Sequence, residues 1–362
     1  MLGIYVHIPF CEKKCNYCAF SSFVCEKEID NYINHLIQEI KNFEGDRNVD
    51  SVYIGGGTPS ILSVEQLGKI VDAIKEKFDL SGETEFSIEC NPNSIDEEKF
   101  VAYKNMGINR LSMGVQSLDD DRLRFIGRIH DKNKAIEKIS LASQYFENLS
   151  CDMLIGLPNM TETSFKEELD TLLSLGIKHI SCYMLQVEKG TPLEIMVSKN
   201  PDLLPDDDKC VDIYEMTANH LENCGFCHYE VSNFAIKGYE SRHNVKYWTG
   251  EDYIGFGLSA HSYIDGERFA NPSSFEEYYK CQKLAKERLT VEQKIEEHIM
   301  LGLRCYKGAS VSHLKSLGYD IMQNPNVQYF LENNVLIQKD DSICLNPEFY
   351  GVSNYVIVKL LP

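Results

Sequence analysis

From residue 2 to residue 185, short apolar runs alternate with amphipathic helical patterns, and this alternation restricts the fold more than any other feature. The apolar runs fall at 2–8, 51–54, 85–89, 110–115, 149–155 and 178–185. Between them the period changes from two to 3.6. In the first helical stretch, 26–43, Ile29, Ile33, Leu36, Ile37 and Ile40 fall on one face. Ser63 is placed as an N-cap for a helix to Phe78, Asp96 opens one to about Met106, and further helical material covers 119–146 and 161–175. Six strand–helix repeats predict an α/β fold with a parallel sheet and right-handed crossovers. Curled up, such a sheet is a partial (β/α)6 TIM-like barrel, short of the full eight units. Polar residues at the C-terminal ends of its strands should then face one mouth.

The first strand is followed at once by Cys11, Cys15 and Cys18, at spacings of four and three. Thiolates this close in sequence can converge on one metal centre without a long-range fold to gather them. A structural zinc site closes itself with four ligands, whereas three cysteines on a cube of four irons leave one iron open to a small molecule. The alternatives are a zinc knuckle completed by His7 or Cys25, or three unconnected buried cysteines. The C-x-x-x-C-x-x-C spacing resembles the signature of the radical S-adenosylmethionine (radical SAM) superfamily. That resemblance implies a 4Fe–4S cluster whose open iron chelates the amino and carboxylate groups of S-adenosylmethionine.

The other strand ends carry suitable groups. Gly55-Gly56-Gly57-Thr58-Pro59 follows the second strand, and bare backbone there can approach a ligand closely and offer carbonyls to an ammonium. By itself a glycine run is as often a turn. Glu89 can pair with an ammonium or ribose hydroxyls, or be a solvated strand end. Gln116 and Asp152 can bind ribose or adenine edges. Arg128 can hold a carboxylate as a two-pronged pair, or be an ordinary helix-surface ion pair.

Residues 5–20, the Gly-Gly-Gly-Thr-Pro-Ser run, Glu89-Cys90-Asn91-Pro92, Arg110 to Ser117, Gly127 to His130 and Asp152 to Pro158 together are similar to the oxygen-independent coproporphyrinogen III oxidase family of radical SAM proteins. The likeness runs from residue 2 to about 305, with collinear motifs. It implies S-adenosylmethionine contacts at Tyr5, Tyr17, Gly56, Gly57, Thr58, Glu89, Gln116, Arg128 and Asp152. The true oxidases carry a further cysteine two residues after the last cluster ligand. Here that position is Phe20, and a cluster loop that begins at residue 11 implies that the oxidases' N-terminal arm is missing. Both features are similar to the haem chaperones of the HemW type. Two functions follow from the resemblance. One is a haem-binding protein that hands haem to acceptor proteins. The other is an enzyme that oxidatively decarboxylates two propionates of coproporphyrinogen III.

A second signature comes later. Arg242-His243-Asn244-Val245-Lys246-Tyr247-Trp248 resembles the His-Asn-x-x-Tyr-Trp string associated with haem in those chaperones. The resemblance implies haem contact at His243, Asn244, Tyr247 and Trp248. A His can ligate iron and an aromatic ring can flank a porphyrin, but a core-facing Tyr-Trp pair with a hydrogen-bonded His fits the same string. His261 is a weaker second candidate. Cys224-Gly225-Phe226-Cys227 has redox-motif spacing but runs from a helix into a strand, the reverse of the reactive setting. Asp206-Asp207-Asp208 reads as a helix N-terminus.

The expected domains are a barrel at 1–200, an extension with the His-Asn-x-x-Tyr-Trp string at 201–274, and a smaller, mainly helical, winged-helix-like domain at 275–362. In the last, helical patterns at 275–289, 291–305, 310–317 and 327–333 precede two short strands at 335–338 and 342–345, and 355–361 closes the chain. Asp+Glu 55 against Lys+Arg 36 gives a net charge of −19, a field that repels phosphate backbones and argues against nucleic acid as a partner. No apolar run approaches the roughly 18–20 residues of a membrane span. Thirteen cysteines without a secretory leader point to a reducing cytoplasm. Haem, haem-acceptor proteins and a second copy of the chain are the partners this reading allows.

Overall fold

The structure is a computed structural model that describes residues 1–45, 48–280 and 286–362. Six parallel strands stand side by side in chain order: β1 (Leu2–Ile8), β2 (Asn48–Gly56), β3 (Asp79–Cys90), β4 (Arg110–Gln116), β5 (Asn148–Ile155) and β6 (His179–Met184). Parallel pairing runs without a break from β1 to β6. The alternation along each strand sets two faces. Ile4, Val6, Ile8, Val52, Ile54, Leu111, Met113 and Val115 are fully buried. Their neighbours Tyr53, Glu89, Arg110, Ser112, Gly114, Asp152, Ser181 and Tyr183 line a cavity inside the curl. The inner wall is therefore polar, and the outer wall packs on the crossover helices.

Those helices begin where their caps are. Ser63 closes a capping box with Gln66 ahead of Val64–Lys77, and Asp96 caps Glu97–Asn105. Thr161 and Asp206 cap Glu162–Ser174 and Asp207–Asn223. The helical stretch expected across 119–146 is two helices, Asp120–Phe125 and Lys132–Ala142. Gly127, at φ +79°, breaks it and turns Arg128 toward the cysteine loop.

The sheet continues past both edges of the six. Antiparallel β7 (Cys227–Glu230) and β8 (Asn233–Ala235) extend it beyond β6. On the other side β9 (Tyr253–Phe256) runs parallel to β1, and β10 (His261–Ile264), β11 (Glu267–Ala270) and β12 (Glu287–Arg288) follow antiparallel. This corrects the helix expected at 275–289. It ends as Phe275–Tyr279, residues 281–285 lie outside the described residues, and Glu287–Arg288 pairs with the edge of β11.

Helix Arg242–Thr249 closes the N-terminal end of the barrel. Its first turn presents backbone N–H groups to the Glu85 carboxylate, from Arg242 (3.0 Å) and His243 (3.1 Å). Buried Lys246 pairs with Asp50 and Glu251, both at 3.0 Å. Gly3 lets this helix approach, because a Cβ there would lie 2.8 Å from Lys246 Cδ.

The C-terminal part consists of Val291–Gly302, Val311–Ser316, Pro325–Glu332 and Ser353–Leu360 around a small antiparallel sheet of β13 (Ala309–Ser310), β14 (Leu336–Lys339) and β15 (Ser342–Leu345). That is the expected winged-helix-like arrangement. It joins the barrel sheet through Tyr306 N to Tyr229 O (2.8 Å) and Val231 N to Arg304 O (3.0 Å). Among the described residues no helix is long and apolar enough to cross a membrane.

Candidate cluster and cofactor site

Backbone contacts fix the cysteine loop at the C-terminal mouth of the barrel. Cys11 N donates to Phe23 O (3.0 Å), Thr58 N to Phe10 O (2.8 Å), and Asn16 N to Ile126 O (2.9 Å). Two glycines make room. At Gly57 a Cβ would meet the Phe10 carbonyl oxygen at 2.6 Å and Cys11 Sγ at 3.0 Å. At Gly56, with φ +119°, it would meet the His7 ring at 2.7 Å. Beneath the loop, His7 Nε2 faces the Ser21 carbonyl at 2.9 Å, so that nitrogen carries the proton and Nδ1 accepts from Tyr5 Oη (2.9 Å). Both ring nitrogens are thus engaged, and His7 has no lone pair free to complete a zinc site.

Cys11, Cys15 and Cys18 all border one cavity of about 430 Å³. Thr58 Oγ1 lies 3.6 Å from Cys11 Sγ and Arg128 Nη1 lies 3.6 Å from Cys15 Sγ. Burial pushes the Cys11 thiol up, and the neighbouring Cys18 and Cys15 charges add to that. Three thiolates here would repel one another, and a positively charged polynuclear centre between them offsets that repulsion. Among the described residues no three His, Cys, Asp or Glu side chains close on a single ion. A cube takes three thiolates on three different irons, and three thiols brought to one cavity are a donor set that suits such a cluster.

The same cavity collects most of the residues expected to hold S-adenosylmethionine. Tyr17, Gly56, Gly57, Thr58, Glu89, Gln116, Arg128 and Asp152 line it. Tyr5 does not; its ring lies lower, stacked on Tyr53 and His243 at centroid distances of 6.3 and 6.4 Å. Glu89 accepts from Tyr53 Oη and from Gly56 N, both at 2.9 Å. Burial, with the nearby Asp152 charge, lifts its carboxyl to about 7. Asp152 is raised too, again by burial, although Ser181 and Ser112 hold its charged form. Arg128 Nη2 donates to the Gly114 carbonyl. Gln116 sits in the left-handed region at φ 71°, uncommon for a side chain of this kind, and the strand register slips there.

The His-Asn-x-x-Tyr-Trp string lies at the other end of the barrel. His243 is fully buried, with Ser51 Oγ 3.1 Å from Nδ1 and Tyr247 Oη 2.9 Å from Nε2. Burial first, then the Lys246 charge, pushes its imidazole down to about 3. The ring is therefore neutral and has no lone pair turned to a ligand. Tyr247 and Trp248 are half-buried, and Asn244 alone of the four reaches the cavity, from below. His261 is exposed on β10, and Cys224 and Cys227 are both exposed free thiols.

Residues to which the sequence reading assigned no contact complete the inner wall. Arg110, Ser112 and Gly114 precede Gln116 at every second position of β4, and His179, Ser181 and Tyr183 do the same on β6. The signal was available, since counting back by two from Gln116 names the β4 set.

The comparisons follow the same lines. The profile of the radical SAM superfamily matches residues 5–172. The Bacillus subtilis protein named heme chaperone HemW is 39% identical over 86% of this chain and 85% of its own length. That of Lactococcus lactis is 33% identical over 99% and 96%. The chain belongs to the HemW family of radical SAM proteins. A bovine protein, named radical S-adenosyl methionine domain-containing protein 1, mitochondrial, is 35% identical over 72% of this chain and 60% of its own. Among solved structures, HemN, the coproporphyrinogen III oxidase of Escherichia coli, superposes with a TM-score of 0.84 over 99% of this chain and 90% of its own, at 22% identity. That match shows the fold alone.

Proposed function

We propose that the protein binds haem and passes it to acceptor proteins, and that it carries a 4Fe–4S cluster on Cys11, Cys15 and Cys18 beside S-adenosylmethionine. The near full-length likeness to the HemW chaperones carries this reading. Phe20 supports it, standing where the resemblance puts a further cysteine in the oxidases. A cytoplasmic setting suits the unpaired cysteines of the described chain.

When bound, the cluster would supply an open iron for the amino and carboxylate groups of S-adenosylmethionine and, reduced, an electron for its cleavage. The chain's own part is positioning. Arg128 sets a positive charge against Cys15 and toward a ligand carboxylate. Glu89 and the backbone of the glycine run suit an ammonium, and ammonium binding would draw the Glu89 proton off. Asp152, held by Ser112 Oγ at 3.2 and 3.3 Å, suits ribose hydroxyls. Tyr17 lines the same cavity as Cys15 and Cys18.

The oxidase reading is tested against this one by an anaerobic assay with reductant, S-adenosylmethionine and coproporphyrinogen III, run beside a haem titration. Saturable haem uptake with no protoporphyrinogen is expected. Protoporphyrinogen formation would overturn the chaperone reading. Iron ligation by His243 would require its ring to leave Ser51 and Tyr247, so a haem seat built on it needs the floor helix to move.

A further inference from the structure

Between Glu12 and Phe20, among the described residues, Asn16 alone bonds through its backbone to other elements. It stands directly after Cys15 and two residues before Cys18. Its N–H donates to Ile126 O (2.9 Å) and its Nδ2 to Phe125 O (2.7 Å), two carbonyls at the end of helix Asp120–Phe125. Such carbonyls have no partner inside a helix, so the cysteine loop caps this one. Arg128 follows two residues later, with Nη1 3.6 Å from Cys15 Sγ. Gly127 between them lies against the Asn16 amide, where a Cβ would come within 3.1 Å of Asn16 Oδ1. The turn that aims Arg128 is thus built on Asn16. On its other side, Asn16 O accepts from Leu193 N (2.9 Å). Leu193 lies in the first turn of helix Pro192–Lys199, where no carbonyl of the helix reaches its N–H. From Gln186 to Asp202 only Thr191 and Leu193 are buried, and Gln186 and Glu188 line the cofactor cavity. This stretch is a strap along the side of the cavity, fastened where it meets Asn16. With so little buried, it belongs among the segments that open at low free energy.

We propose that Asn16 is a positioning residue that passes the state of the cysteine loop to Arg128 on one side and to the strap at 186–202 on the other. This rests on the cluster and S-adenosylmethionine reading above. A loop fixed by its three thiolates holds the three Asn16 hydrogen bonds in place, and a loop free of metal lets them shift together. Arg128 is then set for a ligand carboxylate only once the cysteines are occupied, and the strap settles against the cavity in the same step. The order of assembly is cluster first, cofactor second. An Asn16 that only stabilised the fold would act alike on loaded and unloaded protein.

The test is a double-mutant cycle on S-adenosylmethionine affinity, measured by calorimetry on anaerobically reconstituted protein. It compares the unaltered chain, Asn16→Ala, Arg128→Gln and the two changes combined. Asn16→Ala is expected to weaken S-adenosylmethionine about fivefold to tenfold, the size of one lost hydrogen bond. It should add much less on top of Arg128→Gln, because it acts through that side chain. Iron and sulfide content should stay unchanged in Asn16→Ala, whose cysteines are intact. Unaltered affinity, full additivity, or iron loading that falls in step with affinity would overturn the proposal and leave the cofactor reading standing. Trypsin gives a second readout that needs no variant. Cleavage after the exposed Lys189 and Lys199 should slow severalfold when the unaltered chain takes up its cluster. A cleavage rate indifferent to the cluster would overturn the coupling to the strap. No S-adenosylmethionine binding by the unaltered, reconstituted chain would overturn the proposal and the cofactor reading together.

Discussion

His243 shows how one residue can carry two opposite readings. Its place in a haem-associated string makes it a ligand, and its surroundings make it the keystone of the barrel floor. Its partners Ser51 and Glu85 lie far away in sequence, the hydrogen bond to Ser51 spanning 192 residues, and no local pattern exposes such a pair. His243→Ala should cost about 2–4 kcal/mol, from the cavity and from two stranded hydroxyls. Chemical denaturation checks this. A loss below about 1 kcal/mol would contradict the keystone role. Glu230 makes a separate prediction. It is fully buried and accepts from Asn233 Nδ2 and from Ser232 N (3.1 Å), with no ion pair among the described residues. Burial lifts its carboxyl to about 7 from an ordinary 4.5. Folding therefore favours the protonated form. The stability it contributes is full below pH 4.5 and is lost as the pH rises through about 7. Between pH 5 and 8 the unaltered chain should lose up to about 3 kcal/mol more than Glu230→Gln. Equal losses in the two would contradict the assignment.

At the scale of elements, the cysteine loop depends on the glycine run beneath it. Gly57→Ala places a Cβ against the Phe10 carbonyl and Cys11 Sγ, so the loop must shift. Iron loading should fall severalfold while the far-ultraviolet spectrum stays unchanged. Full loading would mean the loop has slack that the contacts do not show. A buried clamp holds the next two loops. Glu168 accepts from Leu118 N (2.5 Å) and Ser117 Oγ (2.8 Å), just past Gln116, and Arg122 ties it to the Pro158 and Asn159 carbonyls. Glu168→Gln should weaken S-adenosylmethionine binding more than Lys166→Gln, a change at an exposed ion pair on the same helix. Binding calorimetry on reconstituted protein checks this, and equal affinities would separate the clamp from the cofactor. The strands and caps were legible because each signal is local: alternation fixes β1 to β6, and Ser63, Asp96 and Asp206 announce their helices. Helix Arg242–Thr249 and β12 were not, because their formation depends on distant partners, Glu85 for the one and the edge of β11 for the other.

In the whole molecule, chemistry is divided between the two ends of one barrel. The C-terminal mouth gathers cysteines, glycines and titratable groups from five strands or the loops after them, and the N-terminal end is sealed by packing and ion pairs. The mouth was readable in the sequence because a parallel barrel brings its strand ends together whatever the helices between them do. The floor was not, since nothing in a motif says which end of a cavity it will occupy. The proposed function rests on Cys11, Cys15 and Cys18 holding one cluster with an open iron. Electron paramagnetic resonance of the anaerobically reconstituted, dithionite-reduced protein, before and after S-adenosylmethionine, tests that most directly. The expected result is a 4Fe–4S signal that shifts on adding S-adenosylmethionine and disappears in Cys15→Ala. A protein that takes up zinc without sulfide, or a cluster signal indifferent to S-adenosylmethionine, would contradict it.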